Sequence, residues 1–222
     1  MPSPINVTKS LKYTMRPENP KGYTTRQQIE NYLLINIDAS FWTQVDDWIK
    51  QVEEYIDGKT GRNFVATGPE ERIFDGNGST KLLIDDCVEI VKLEIGSTDK
   101  TEIAAGSYVT YPQNARKLSR PVPITRIQLI GTVFPCYPQI ATVLGKWGYS
   151  IHPPKDIQEV ATYLVAGIIT DTYVPEGVVQ SESIGRYSIT YKTEGELSKL
   201  TRLKEDIDRT KEVLQRYRKY TF

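Results

Sequence analysis

Histidine is almost missing from this chain. Among 222 residues there is one, His152, in a His-Pro-Pro stretch ahead of an expected helix. One imidazole cannot build a His-based metal cluster, and a Ser-His-Asp or Cys-His relay would have to run through that position alone. Cysteine is nearly as sparse: Cys87 and Cys136 form no C-x-x-C pair. That excludes a disulfide framework and suits a reducing compartment or plain packing of small hydrophobes. Net charge is absent too. Lys+Arg and Asp+Glu number 28 each, so the chain as a whole has no electrostatic attraction for nucleic acid or membrane. No apolar run approaches the length of a bilayer span, and the opening MPSPINVTKS lacks the apolar core of a signal peptide. No local pattern raises any acidic residue above its neighbours as a general acid or base. No catalytic, cofactor or metal site is expected.

What is present is ordinary for a globular protein, 39% hydrophobic and 25% charged, and long enough for one large domain or two small ones. Tyrosine is the unusual component, with 14 copies. A tyrosine ring buries area while its hydroxyl stays hydrogen-bonded, which suits surfaces where protein meets protein, although many of these rings belong in the core.

The stretch IFDGNGSTKLLID, from Ile73 to Asp85, looks at first like a phosphate cradle. A phosphate loop needs a following helix whose N–H groups meet the anion. Here a branched-apolar run follows, Lys81 to Ile84, closed by Asp85-Asp86. Asp-Gly-Asn-Gly between two apolar runs instead predicts a β-hairpin joining Glu71–Phe74 to Lys81–Ile84.

Residues 1–24 carry Pro2, Pro4, Pro17, Pro20 and Gly22 and read as an extended arm. Thr25 with Gln28 forms a capping box for a short helix that turns Ile29, Leu33 and Tyr32 inward. Asp38 or Ser40 then caps a helix from about Ala39 to Ile56. Val45, Ile49, Val52 and Ile56 make its apolar stripe, and Glu53 is assigned to the polar remainder. Gly61 suits its C-terminal cap, and Phe64 is expected to fold back on it.

From Val65 to Tyr149 the period becomes strand-like: Val88–Ile95, Tyr108–Tyr111, Ile124–Ile130 and Ala141–Tyr149 alternate between turn signals. This predicts a small antiparallel sheet or barrel. Arg116, Lys117 and Arg120 sit in a proline-flanked basic loop, either simply solvated or facing DNA or an acidic partner. Pro153-Pro154 opens the most apolar helix, to about Tyr173. Arg186–Lys192 is a short alternating strand. The last helix, about Glu196 to Tyr220, has a narrow heptad stripe of Leu200, Leu203, Ile207, Leu214 and Tyr217, with Thr210 interrupting it. Its end, YRKYTF, reads equally as a frayed terminus or as an anchor on another protein.

The fold class expected is α+β: a helical bundle of about four helices with an inserted antiparallel β-sheet or barrel-like subdomain. The arm spans 1–24, the helical domain 25–64 with 153–222, and the β subdomain 65–152.

Four landmarks occur in a telling order. They are Tyr55-Ile56-Asp57…Thr60-Gly61-Arg62-Asn63-Phe64, Phe74-Asp75-Gly76-Asn77-Gly78…Leu82-Leu83-Ile84-Asp85, Trp147-Gly148-Tyr149 before Asp156-Ile157, and Ile184-Gly185-Arg186-Tyr187-Ser188-Ile189-Thr190-Tyr191 before a helix ending Tyr217-Arg218-Lys219. From about Thr25 to the end, the chain resembles the head-to-tail connector (adaptor, or head-completion) proteins of tailed bacteriophages. The resemblance implies a non-enzymatic virion component, synthesised in the host cytoplasm. It would form a ring, commonly of twelve copies, beneath the portal protein. That ring would extend the channel for genomic DNA and receive a stopper or tail-completion protein. It also implies that the C-terminal helix docks on the portal, through Leu214, Tyr217, Arg218, Tyr220 and Phe222. A near-neutral chain suits a lumen through which DNA must slide. The rival readings are another neck or baseplate component, a general interaction module, and an enzyme acting through carboxylates.

Overall fold

The side chain of Thr25 accepts from the Gln28 N–H, and the Gln28 side chain accepts from the Thr25 N–H, closing the expected capping box. In the computed structural model, which describes residues 21–115, 117, 121–172, 182–184, 187–189 and 194–219, this box opens helix α1 (Arg26–Leu33). Asp38 caps a short 3₁₀ turn over Ala39–Phe41, and α2 (Trp42–Thr60) continues from it. Gly61, at φ 66°, ends α2 in the left-handed cap that glycine tolerates best. Helices α3 (Lys155–Thr172) and α4 (Glu194–Tyr217) complete the helical part.

These helices share one hydrophobic cluster. Ile29 of α1, Ile49 and Ile56 of α2, and Ile157, Val160 and Val165 of α3 are buried in it with Phe64, and Leu214 of α4 joins them. Each fully buried isoleucine contributes roughly 2 kcal/mol to stability. Thr210, the polar break in the α4 stripe, is also buried and donates its hydroxyl to Ile207 O. Glu53 departs from expectation. It is 2% exposed, because its place one turn from Ile49 and from Ile56 sets it on the apolar stripe itself.

The β part is one antiparallel sheet of six strands. They are β1 (Pro69–Phe74), β2 (Lys81–Ile95), β3 (Thr101–Glu102), β4 (Tyr108–Tyr111), β5 (Ile124–Leu129) and β6 (Ala141–Trp147). Their order is β1-β6-β2-β5-β4, with β3 beside β2. This corrects three expectations. First, β1 and β2 are not a hairpin, since β6 lies between them, pairing Phe74 with Ala141 and Ile95 with Ala141 on its two sides. The glycines serve another contact: a Cβ on Gly76 would lie 1.8 Å from Pro135 O. That close approach lets Gly76 N–H bond Tyr137 O, and Gln139 N–H reaches Asp75. Second, Asp85-Asp86 does not end a strand. β2 runs on for 15 residues, with register shifts at Leu83/Cys87, Cys87/Glu89 and Ile90/Lys92. Such bulges bend a strand without ending it. Third, among the described residues the sheet is open, with β1, β3 and β4 each paired on one side only, so it is no barrel.

Because β2 bends, its first half pairs with β5 and its second with β6. A second hydrophobic cluster is built on these two limbs of the sheet. It unites Leu82, Ile84, Leu93, Ile127, Phe134, Val143 and Trp147. A separate two-stranded ribbon, β7 (Glu182–Ile184) with β8 (Tyr187–Ile189), precedes α4.

Candidate interaction surface

The C-terminal end of α4 is held at the meeting point of helices and sheet. Leu214 is buried in the helical cluster. Tyr217 packs edge-on to Phe64 and Tyr149, with ring centres 5.3 and 5.4 Å away. Its hydroxyl donates to the Asp156 carboxylate in the first turn of α3, at 2.8 and 2.9 Å. Arg62, just beyond the α2 cap, donates Nε to Tyr217 O and Nη1 to both oxygens of Asp86 on β2. Its guanidinium also lies 5.5 Å from the Tyr149 ring centre. Lys219 donates its backbone N–H to Thr60 O and its ammonium to Asp85.

Asp85 therefore accepts from Lys219 and from Arg72 of β1. Partial burial pulls its carboxyl upward, but the two cations outweigh that and leave it below the usual aspartate value. The Arg62–Asp86 pair, with Nη1 shared between both carboxylate oxygens, is the stronger tie, because Asp86 is only 7% exposed and charge-assisted hydrogen bonds gain in such surroundings.

Of the residues expected to meet a portal, Leu214 and Tyr217 are thus packed within this chain, and Arg218 is exposed. Tyr220 and Phe222 lie outside the described residues. In the basic loop, Lys117 is exposed and its N–H donates to Asn114 O; Arg116 and Arg120 lie outside the described residues.

A second clamp holds the chain where the arm begins. The Glu53 carboxylate accepts the N–H groups of Lys21 and Tyr23 at 2.6 and 2.9 Å. Tyr23 donates its hydroxyl to Asp57 at 2.6 Å and accepts from Phe64 N–H; the Lys21 ammonium pairs with Asp57 as well. Burial raises the Glu53 carboxyl above its ordinary value despite these donors. Burial and the neighbouring Asp57 carboxylate likewise push the Tyr23 hydroxyl far upward. Neither clamp was foreseen. A glutamate on an apolar stripe was the one legible signal, since buried charge occurs with partners.

The chemistry elsewhere is sparse. Among the described residues no group of three or more His, Cys, Asp or Glu is placed to hold a metal. His152 is exposed, and its carbonyl accepts from Ser150. A cleft at the α1–α2 corner is lined chiefly by Ile35, Ile37, Phe41, Val45, Trp48 and Ile169, without converging acids or bases. Leu34 and Trp42 are exposed beside it. Among the described residues no helix is long and apolar enough to cross a membrane.

Neither a protein-family model nor a curated protein sequence matches the chain. Solved structures do. A chain of the virion of a native gene transfer agent (GTA) particle matches with TM-score 0.50 and 12% identity, over 92% of this chain and 93% of that one. A chain of the neck of a native GTA particle computed with C12 symmetry matches with TM-score 0.48 and 13% identity, covering 88% of each. One from the neck of an empty GTA particle computed with C6 symmetry gives 0.46 and 12%, over 81% and 80%. At such identities it is the fold that is shared, and the virion chain, at 0.50 over nearly its full length, carries that conclusion.

Proposed function

We propose that this protein is a structural component of the neck of a phage-like particle. A ring of its copies, twelve by the sequence resemblance, would sit under the portal, continue the DNA channel and receive the next neck or tail protein. The observation that carries the reading is the fold shared, nearly end to end, with a chain of the native GTA virion. The sequence landmarks point the same way independently. Exposed Leu34, Phe41 and Trp42 at the helical corner, and open edges on β1 and β4, offer a neighbouring copy both packing and pairing surfaces. The helices and the sheet, each with its own hydrophobic cluster, would act as a helical domain (25–64 with 153–222) and an inserted β domain (65–152).

In this reading Arg218, Tyr220 and Phe222 meet the portal, while Leu214 and Tyr217 fix the helix that presents them. Arg116, Lys117 and Arg120 would face passing DNA or an acidic neighbour without reading sequence. No catalytic step is assigned. The test is to mix the protein with its cognate portal and image the product by electron microscopy or weigh it by native mass spectrometry. A ring-on-ring complex is expected, lost when residues 220–222 are removed. A protein that stays monomeric and ignores the portal would refute the assignment.

A further inference from the structure

The sheet turns one face to its hydrophobic cluster, and the other face is divided by charge. On the limb that β2 forms with β5 and β4, Leu82 opposes Ile127, and both are buried. Their neighbours along the strands point the other way. On that outer face Lys81 opposes Gln128 and Leu83 opposes Arg126, while Val109 and Tyr111 of β4 flank Gln128 and Arg126. The surface is partly apolar, with Leu83 70% and Val109 36% exposed. Its two charges in this register, Lys81 and Arg126, are both positive. The Arg126 guanidinium lies 4.2 Å from the Tyr111 ring centre, and its buried Nε has no hydrogen-bond partner. Among the described residues neither cation meets a carboxylate.

The outer face of the β6 limb has the opposite sign. Across β6, Glu71 and Lys92 flank Leu144, Ile73 and Glu94 flank Thr142, and Glu89 opposes Lys146. Glu94 also stands directly opposite Glu102 of β3, and like charges so placed repel. Lys92 meets both, at 2.6 and 3.7 Å, and Lys146 meets Glu89 at 2.8 Å. Four carboxylates (Glu71, Glu89, Glu94, Glu102) thus outnumber two ammonium groups (Lys92, Lys146) by two, matching the two cations of the β5 limb. Glu71 is exposed and has no cation of its own among the described residues. Ile73, 56% exposed, gives this face an apolar counterpart to Leu83.

A single exposed leucine is ordinary surface. Two partly apolar faces of one chain with equal and opposite charge are a matched pair. Like faces cannot meet, since that would bring cation to cation or carboxylate to carboxylate. Unlike faces can, and each copy then uses both, a heterologous contact that closes into a ring or runs on as a chain. Leu83 and Val109 make the β5 limb a poor match for a phosphate backbone, which is met by many cations.

We infer that the outer face of the β5 limb of one copy docks on the outer face of the β6 limb of the next, with Lys81 and Arg126 against Glu71 and Glu102. The inference rests on the ring proposed above and supplies its contact. Two charge-reversed proteins test it, one with Lys81→Glu and Arg126→Glu, the other with Glu71→Lys and Glu102→Lys. By sedimentation velocity or native mass spectrometry, each alone should self-associate about a hundredfold more weakly than the parent. Mixed in equal amounts they should assemble again, because each reversed face then finds its opposite on the other protein. Misfolded variants could not do this. Parental assembly by either variant alone, or a mixture that stays apart, overturns the inference and leaves the ring standing. So does loss of duplex-DNA binding by the first variant with its assembly intact, which would give the β5 limb to nucleic acid. A parent that stays monomeric with and without its portal overturns both.

Discussion

Lys219 joins the end of α4 to the sheet: its ammonium lies 2.9 Å from Asp85 Oδ1 on β2 while its backbone N–H bonds Thr60 O at 2.7 Å. One residue thus touches the last turn of a helix and a strand from the other half of the molecule. Among the described residues it is the last tie of the C-terminus to the rest of the molecule.

The strength of these C-terminal ties is measurable. Removing residues 220–222, which follow the last tie among the described residues, should leave the melting temperature within about 2 °C of the parent. Tyr217→Ala removes a ring packed on Phe64 and Tyr149 and leaves Asp156 without that donor. It should cost about 3 kcal/mol, or roughly 6–12 °C in a chain of this size. Thermal melts of the two variants decide the point; equal melting would place Tyr217 outside the core.

The Arg62–Asp86 pair should behave as a buried ion pair. Arg62→Ala leaves the Asp86 carboxylate, 7% exposed, with its cation gone, and should cost about 3 kcal/mol in urea unfolding. Arg62→Met with Asp86→Leu should recover most of it, because no charge is then stranded.

Asp85 sets an acid limb. Its folded value lies below the ordinary 3.8, so its stabilising share is fully present above about pH 4. That share is lost as pH falls through the folded value. In melts between about pH 2 and 6, Asp85→Asn should lower stability near neutrality and flatten the decline below pH 4. A parallel decline in both proteins would show that Asp85 takes no part.

Gly76 and Gly58 should respond oppositely to alanine. At Gly76 the new Cβ would lie 1.8 Å from Pro135 O, so the backbone must move, and a loss of at least about 3 kcal/mol is expected. At Gly58, inside α2 with nothing within 4 Å, alanine should add up to about 1 kcal/mol. Urea titrations of both, with unchanged m-values, are the check.

The cysteines should separate cleanly. Burial pushes the Cys87 thiol up to about 11, whereas Cys136 is exposed. Ellman's reagent at pH 8 should label one thiol per chain quickly, and Cys136→Ser should abolish that rapid phase.

The helices were legible because their signals are local: the Thr25–Gln28 box, the α2 and α3 stripes and the Gly61 cap need only a few neighbouring residues. The strands were legible as segments, but their partners were not. Asp-Gly-Asn-Gly carries the composition of a tight turn, yet these residues accommodate the 135–139 loop while β6, some seventy positions on, takes the place beside β1. Nothing within the stretch encodes that. Asp85 and Asp86 looked like a strand end because their partners, Lys219 and Arg62, come from distant parts of the chain. The C-terminal end reads equally as a frayed terminus or as an anchor because the rings that meet Tyr217, Phe64 and Tyr149, precede it by more than sixty positions.

The bend in β2 has a mechanical consequence. Its early residues are stitched to β5 and its later ones to β6, so the two limbs are parts of a single ribbon. A tug on either outer strand is passed along one unbroken backbone. The two limbs are then coupled through a strand they share.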